Sequence, residues 1–239
     1  MRFDLTWMRK FVVCVVVFAS AYGVHPLATS AGEIDTLLFG SLDASAATFL
    51  TLGAKAAWGP LNHDGFVALA SLGGGVRDER GSTEARQRYT ASAALVIGYQ
   101  WFFDWGVIAA YAGPEGIREM LLHGRGLAEL EPHFGLRLQG EIWARPTQAT
   151  LVQAGVVAGS ARDSVWARLA WGYRFCDTYV GPEVAAYTDA TGYRKWNLGL
   201  HGTDFTMGRY SFRVSAGLQS ETGRRTPGPY LALAVWSPW

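Results

Sequence analysis

The chain has 239 residues, of which 49% are hydrophobic and only 17% charged, where a soluble domain carries about a quarter charged residues. A net charge of +1 gives neither a basic nor an acidic excess, so nucleic acid is excluded as a partner. Beyond residue 31 the sole cysteine is Cys176, which rules out an internal disulfide there, and no Cys/His cluster has metal-site spacing.

The first element is not part of a fold. "MRFDLTWMRK" carries Arg2, Arg9 and Lys10, an apolar run "FVVCVVVFASAYGV" follows, and small residues lead to Ser30 and Ala31. The run is too short to span a bilayer comfortably, so residues 1–31 read as a cleaved secretory signal peptide, with an N-terminal membrane anchor as the alternative. Residues 32–239 then form one domain.

From there on, period two dominates. Alternation predicts strands at 34–43, 47–58, 65–77, 86–102, 106–117, 131–144, 148–160, 164–175, 178–189, 192–203, 208–220 and 229–239. In 164–175, Val165, Ala167, Leu169, Trp171, Tyr173 and Phe175 share one face, while Trp166, Arg168, Ala170, Gly172 and Arg174 share the other. In 131–144, Phe134, Leu136, Leu138 and Ile142 oppose His133, Arg137, Gln139 and Glu141. The runs are about the 9–11 residues that a tilted strand needs to cross a bilayer. The fold class is therefore all-β: a transmembrane antiparallel up-and-down β-barrel of about twelve strands, with ten as the alternative. Residues 37–58 also read as one bent strand, which would give eleven strands and break the even count. Tight connections such as "FDW" and "CDT" alternate with longer charged ones such as "RDERGSTEAR" and "IREMLLHGRGLAELE", the asymmetry of outer-membrane barrels.

Trp58, Trp101, Trp105, Trp143, Trp171, Tyr173, Tyr179, Tyr193, Tyr210, Trp236 and Trp239 fall towards strand ends, as aromatic girdles at both bilayer interfaces require. That places the apolar face against outer-membrane lipid and the other face in the lumen. The lumen-facing candidates are Lys55, Glu115, Arg137, Gln139, Glu141, Arg168, Arg174, Glu183, Lys195, His201, Arg209, Arg213 and Glu221. Acids and bases are mixed in this set, so ion pairing inside a narrow, mostly filled lumen is expected. A tight turn centred on Asp177 and Thr178 would set Glu183 opposite Gly172, with Arg174 as its diagonal partner and Arg168 further off. "GPE" occurs twice, ending in Glu115 and Glu183. Proline lacks a ladder N–H, so each site reads as a β-bulge, or as a bulge that aims the glutamate at a ligand.

No G-x-S-x-G, H-E-x-x-H or phosphate loop occurs, so no catalytic residue, cofactor or metal is assigned and the chain is not expected to be an enzyme. A lipid- or polysaccharide-modifying barrel enzyme and a purely structural barrel are the alternatives.

"EIWARPT" (141–147), "VWARLAWGYRF" (165–175) with "YVGPEV" (179–184), "GYQW" (98–101) and "FGSLDASAATFLTLGA" (39–54) resemble, in shared order, the S-type cellulose biosynthesis protein family. The resemblance implies an accessory barrel in the outer membrane of a Gram-negative bacterium, assisting export or assembly of cellulose. It also implies cellulose, a β-glucan, and other components of the synthase system as partners. It assigns no site residue.

Overall fold

The computed structural model describes residues 35–239 except 46, 80–85 and 124–125; the expected signal peptide lies outside the described residues. Thirteen strands form: β1 (Thr36–Ala44), β2 (Ala47–Ala57), β3 (Gly65–Glu79), β4 (Arg86–Phe103), β5 (Gly106–His123), β6 (Gly126–Glu129), β7 (His133–Thr147), β8 (Thr150–Gly159), β9 (Ser164–Phe175), β10 (Thr178–Thr188), β11 (Arg194–Met207), β12 (Tyr210–Glu221) and β13 (Gly228–Pro238). Twelve of them make a closed antiparallel ring. Each pairs with its chain neighbour, β5 pairs directly with β7, and β13 closes on β1 from Leu37↔Pro238 to Ala44↔Leu231. Closure leaves no edge in the ring, so its backbone donors and acceptors pair between strands, as a low-dielectric surround requires, apart from two short interruptions.

The first hairpin is two strands, in register from Thr36↔Ala56 to Ala44↔Thr48, which settles the count at twelve. The segment 118–130, expected to be a loop, is largely strand. β5 runs on to His123, stays paired with β4, and folds back through β6. Alternation continues there through Glu115, Ile117 and Glu119, so the ladder extends beyond the rim. Neither Gly-Pro-Glu site is a bulge. On β5 the pairing with β4 is interrupted between Ala94↔Glu115 and Ile97↔Ala112, and on β10 the pairing with β9 is interrupted between Glu183↔Ala170 and Val180↔Tyr173. Both resume in the same register. The proline interrupts one seam and faces outward, while the ladder on the opposite seam is unbroken.

Short turns and both ends of the ring gather at one mouth, the turn end; longer connections gather at the other, the loop end. Leu38, Leu72, Leu138, Leu169, Leu198, Leu218 and Leu233 lie on the outer face, exposed. The exposed aromatics form one belt rather than two. Trp58, Trp101, Phe103, Trp105, Trp171, Tyr173, Phe175, Phe205, Tyr210 and Trp239 all sit near the turn end, against Phe134 and Trp196 near the loop end. Tyr179 is buried, and Tyr193, Trp143 and Trp236 turn inward, so these four are not girdle residues.

Candidate functional site: the barrel interior

The interior is filled in layers. At the turn end, Val67, Leu69, Val96, Ala109 and Tyr111 form a buried apolar cluster that Phe39, Ala57 and Leu61 complete. The turn 58–64 folds in to supply Leu61, fixed by Gln100 Nε2 donating to the carbonyls of Leu61 (2.8 Å) and His63 (2.9 Å). β3, β4 and β5 are thus apolar on both faces near this mouth, which simple alternation between lipid and a polar lumen does not anticipate. Across from this cluster the indoles of Trp143 and Trp236, on opposite sides of the ring, meet edge to face at 5.7 Å. Arg145 also reaches across, to Asp204 at 2.8 Å and to the ring of Tyr179 at 5.8 Å.

The middle layer centres on Glu183, 4% accessible at its side chain. Tyr230, Gly217, Gly199 and Glu183 are successive cross-strand partners on β13, β12, β11 and β10. A Cβ on Gly217 would stand 2.9 Å from the Tyr230 ring, and one on Gly199 would stand 2.5 Å from its hydroxyl. The two glycines therefore form a trough in which the tyrosine lies along the wall, three strands across, to donate to Glu183 Oε1 at 2.9 Å. Arg213 of β12 donates to Glu183 Oε2 and crosses to Gln153 on β8. A charge held in such a place needs a partner and hydrogen bonds, and the arginine fork supplies both.

The expected pair of Glu183 with Arg174 does not form. The turn is Cys176-Asp177, with Cys176 at φ 53°, so Phe175 pairs with Thr178 and Glu183 stands opposite Ala170. Relative to the expected turn the register moves by two residues. Arg174 then ends at the mouth, half exposed, bonded to Asp177 at 3.2 Å. Arg168 becomes the diagonal neighbour of Glu183.

The remaining candidates are distributed through the layers. Lys55 lies 5.7 Å from the Tyr111 ring. Arg137, Gln139 and Glu141 form a ladder along β7: Arg137 donates to Gln139 Oε1 (2.9 Å) and Gln139 donates to Glu141 (2.6 Å). Glu115 accepts the amide of Ala161 at 3.1 Å. Lys195 donates to Asp43 at 3.2 Å. His201 stands 3.2 Å from the carbonyl of Trp171 and 2.8 Å from Thr203 Oγ1. A carbonyl only accepts, so Nε2 carries the proton and Nδ1 of the neutral ring accepts from the threonine. Glu221 accepts from Tyr193 at 2.8 Å. Arg209 is not a lumen residue: the strand starts one residue later, and Arg209 is exposed in the turn beside Trp239. Among the described residues no group of three or more His, Cys, Asp or Glu is placed to hold a metal ion.

The loop-end mouth carries a clasp that alternation did not reveal, because several of its members come from connections. Glu119 of β5, 3% exposed, accepts from Arg88 (2.8 Å), Thr90 (3.2 Å) and Arg162 (2.5 Å). Arg162 belongs to the β8–β9 connection and also stands 3.2 Å from Asp189 of the β10–β11 connection. Asp189 in turn accepts from Tyr187 and Thr191. Arg77 of β3 reaches over the ring of Tyr193 at 4.1 Å. Burial and the hydrogen bond to Glu221 push the Tyr193 phenol above its ordinary pKa. Glu119 continues the alternating row of β5, and Tyr230 and Trp236 lie on the face of β13 opposite Leu231, Leu233 and Val235.

A closed twelve-stranded antiparallel ring, apolar outside and ion-paired within, defines a β-barrel of the outer-membrane type. The chain belongs to the family of cellulose biosynthesis protein BcsS, whose profile matches residues 37–239, and that membership implies a role in cellulose biosynthesis. No curated protein matches it. Among solved structures it is similar to the translocator domain of the autotransporter NalP from Neisseria meningitidis (14% identity, 99% of this chain and 98% of that one, TM-score 0.48). It is also similar to the KdgM porin in complex with disordered oligogalacturonate (10%, 85% and 99%, TM-score 0.45) and to the β domain of the Bordetella autotransporter BrkA (12%, 85% and 98%, TM-score 0.46).

Proposed function

We propose that the chain is an outer-membrane accessory protein of bacterial cellulose biosynthesis that assists delivery of the polysaccharide to the cell surface, and that it does so without catalysing a reaction. The carrying observation is that a member of a cellulose biosynthesis family is a closed barrel with its large apolar side chains outward. Such a surface is stable only against hydrocarbon. Side chains meet across the interior at both mouths and between them, which favours assistance in assembly or positioning over passive conduction of a chain. The partners on this reading are outer-membrane lipid, the emerging β-glucan and other components of the synthase system. The test is deletion of the gene with synthase activity in the inner membrane measured in parallel. Surface cellulose should fall while synthase activity holds; an unchanged surface yield overturns the reading.

A further inference from the structure

The inner wall of β9–β12, immediately beneath the clasp, gathers several buried polar atoms in one place. One row of cross-strand partners runs Arg168, Ala185, Asn197, Gln219. Arg168 Nε, Asn197 Oδ1 and Gln219 Oε1 are buried without a hydrogen-bond partner, and so is Asp43 Oδ1 close by, on the carboxylate that Lys195 grips. Asn197 is 5% exposed and Gln219 1%. Polar side chains so deeply placed are rarely left unpaired. One row nearer the loop end, Trp166 and Tyr187 face each other as a cross-strand pair. The Trp166 indole rests on Gly155, 3.4 Å from where a Cβ would stand. Between Arg168 and Asn197 in the row stands only the methyl of Ala185.

Amide and carboxylate oxygens with open lone pairs want donors and the arginine Nε wants an acceptor; beside them stand Trp166, 5.7 Å below the Arg168 guanidinium, and Tyr187, 6.0 Å from the Tyr193 ring. A pyranose supplies hydroxyls that both donate and accept, and C–H faces that rest on rings. The nearby carboxylates are already matched, Glu183 by Arg213, Asp43 by Lys195 and Glu221 by Arg224, and the Arg168 guanidinium lies on the Trp166 ring, so the ligand needs hydroxyls to meet the open polar atoms rather than a positive charge. We propose that this wall is a binding site for the end of a neutral β-linked oligosaccharide, entered from the loop end when Arg162 releases Glu119 and Asp189. Entry from the other mouth is blocked by Leu61 in its apolar cluster and by the Trp143–Trp236 contact. The identity of the sugar as a β-glucan rests on the proposed function.

The experiment is calorimetric titration of the folded, detergent-solubilised barrel with cellohexaose. It is run on the native chain and on Arg162→Gln, which loosens the clasp. Saturable binding is expected, faster or tighter in Arg162→Gln, with maltohexaose at least tenfold weaker. Asn197→Leu, Trp166→Ala and Ala185→Leu should each weaken binding at least tenfold. Ala185→Leu removes no polar group and only adds bulk between Arg168 and Asn197. Trp196→Ala, on the outer face, should leave it unchanged. The proposal is overturned if neither the native nor the Arg162→Gln barrel binds, or if binding is indifferent to Asn197, Trp166 and Ala185 in variants that retain heat-modifiable migration. A deletion that lowers surface cellulose beside a barrel that binds no oligosaccharide would leave the proposed function standing and remove this inference alone.

Discussion

Replacing Glu183 by Gln keeps the shape of the side chain and removes its charge. Arg213, 4% accessible, then faces Gln153 and an amide, with Arg168 as a second cation nearby. Stranding one member of a buried pair costs about 3–5 kcal/mol, and Arg213→Met should cost a similar amount by stranding the carboxylate. The double variant removes both charges, so its cost should fall short of the sum by about 0.5–3 kcal/mol, the coupling of residues in direct contact. Tyr230→Phe deletes one hydrogen bond to a charged group, about 1.5–3 kcal/mol, and should couple to Glu183→Gln in the same way. Arg174→Met is the control, because that side chain lies at the mouth on Asp177. The assay is urea unfolding in micelles, followed by loss of the heat-modifiable band. Additivity of Glu183→Gln with Arg213→Met to within about 0.5 kcal/mol, or coupling of Glu183 to Arg174, would refute the reasoning.

Other outcomes follow from the same geometry. Leu169→Arg places a charge on the outer apolar face, at about 2–4 kcal/mol near the bilayer midplane, whereas Ala170→Ser, on the inward face, should change the folded yield little; equal losses would reverse the facing. Gly199→Val, which obstructs the trough, should lower stability at least as much as Tyr230→Phe, and combining the two should add little of the hydroxyl's share. Introducing Ser92→Cys beneath the clasp in a Cys176→Ser background should give a thiol that labels slowly from the loop end, and at least tenfold faster when Arg162→Gln is added. Arg88→Gln, which alters the same carboxylate from the wall rather than from a loop, should leave that rate unchanged.

Strand positions were legible because period two is a local signal: every expected strand from 34–43 to 229–239 has a counterpart, and parity alone places Leu138 and Leu169 outside. Register was less legible because it depends on the turn. The unexpected positive φ at Cys176 shifted the β9–β10 pairing by two residues and moved Glu183 from Gly172 to Ala170. Partners across the interior were not legible from neighbouring strands at all. Arg213 finds Gln153 four strands away, and Trp143 finds Trp236 on the far side of the ring; such contacts follow chords set by strand tilt and stagger. The apolar cluster around Val67 and Val96 was hidden for a different reason. A face that is apolar against a dry interior reads the same as one against lipid, and only three-dimensional closure separates them.

The most direct measurement uses Cys176, the one cysteine in the barrel, exposed in the turn between β9 and β10. A membrane-impermeant maleimide is added to cells producing the protein, before and after selective permeabilisation of the outer membrane. A barrel seated in the outer membrane with its short turns inside predicts no labelling of Cys176 in intact cells and rapid labelling once the outer membrane is opened. Labelling in intact cells, or recovery of the labelled chain in the soluble periplasmic fraction, would contradict it.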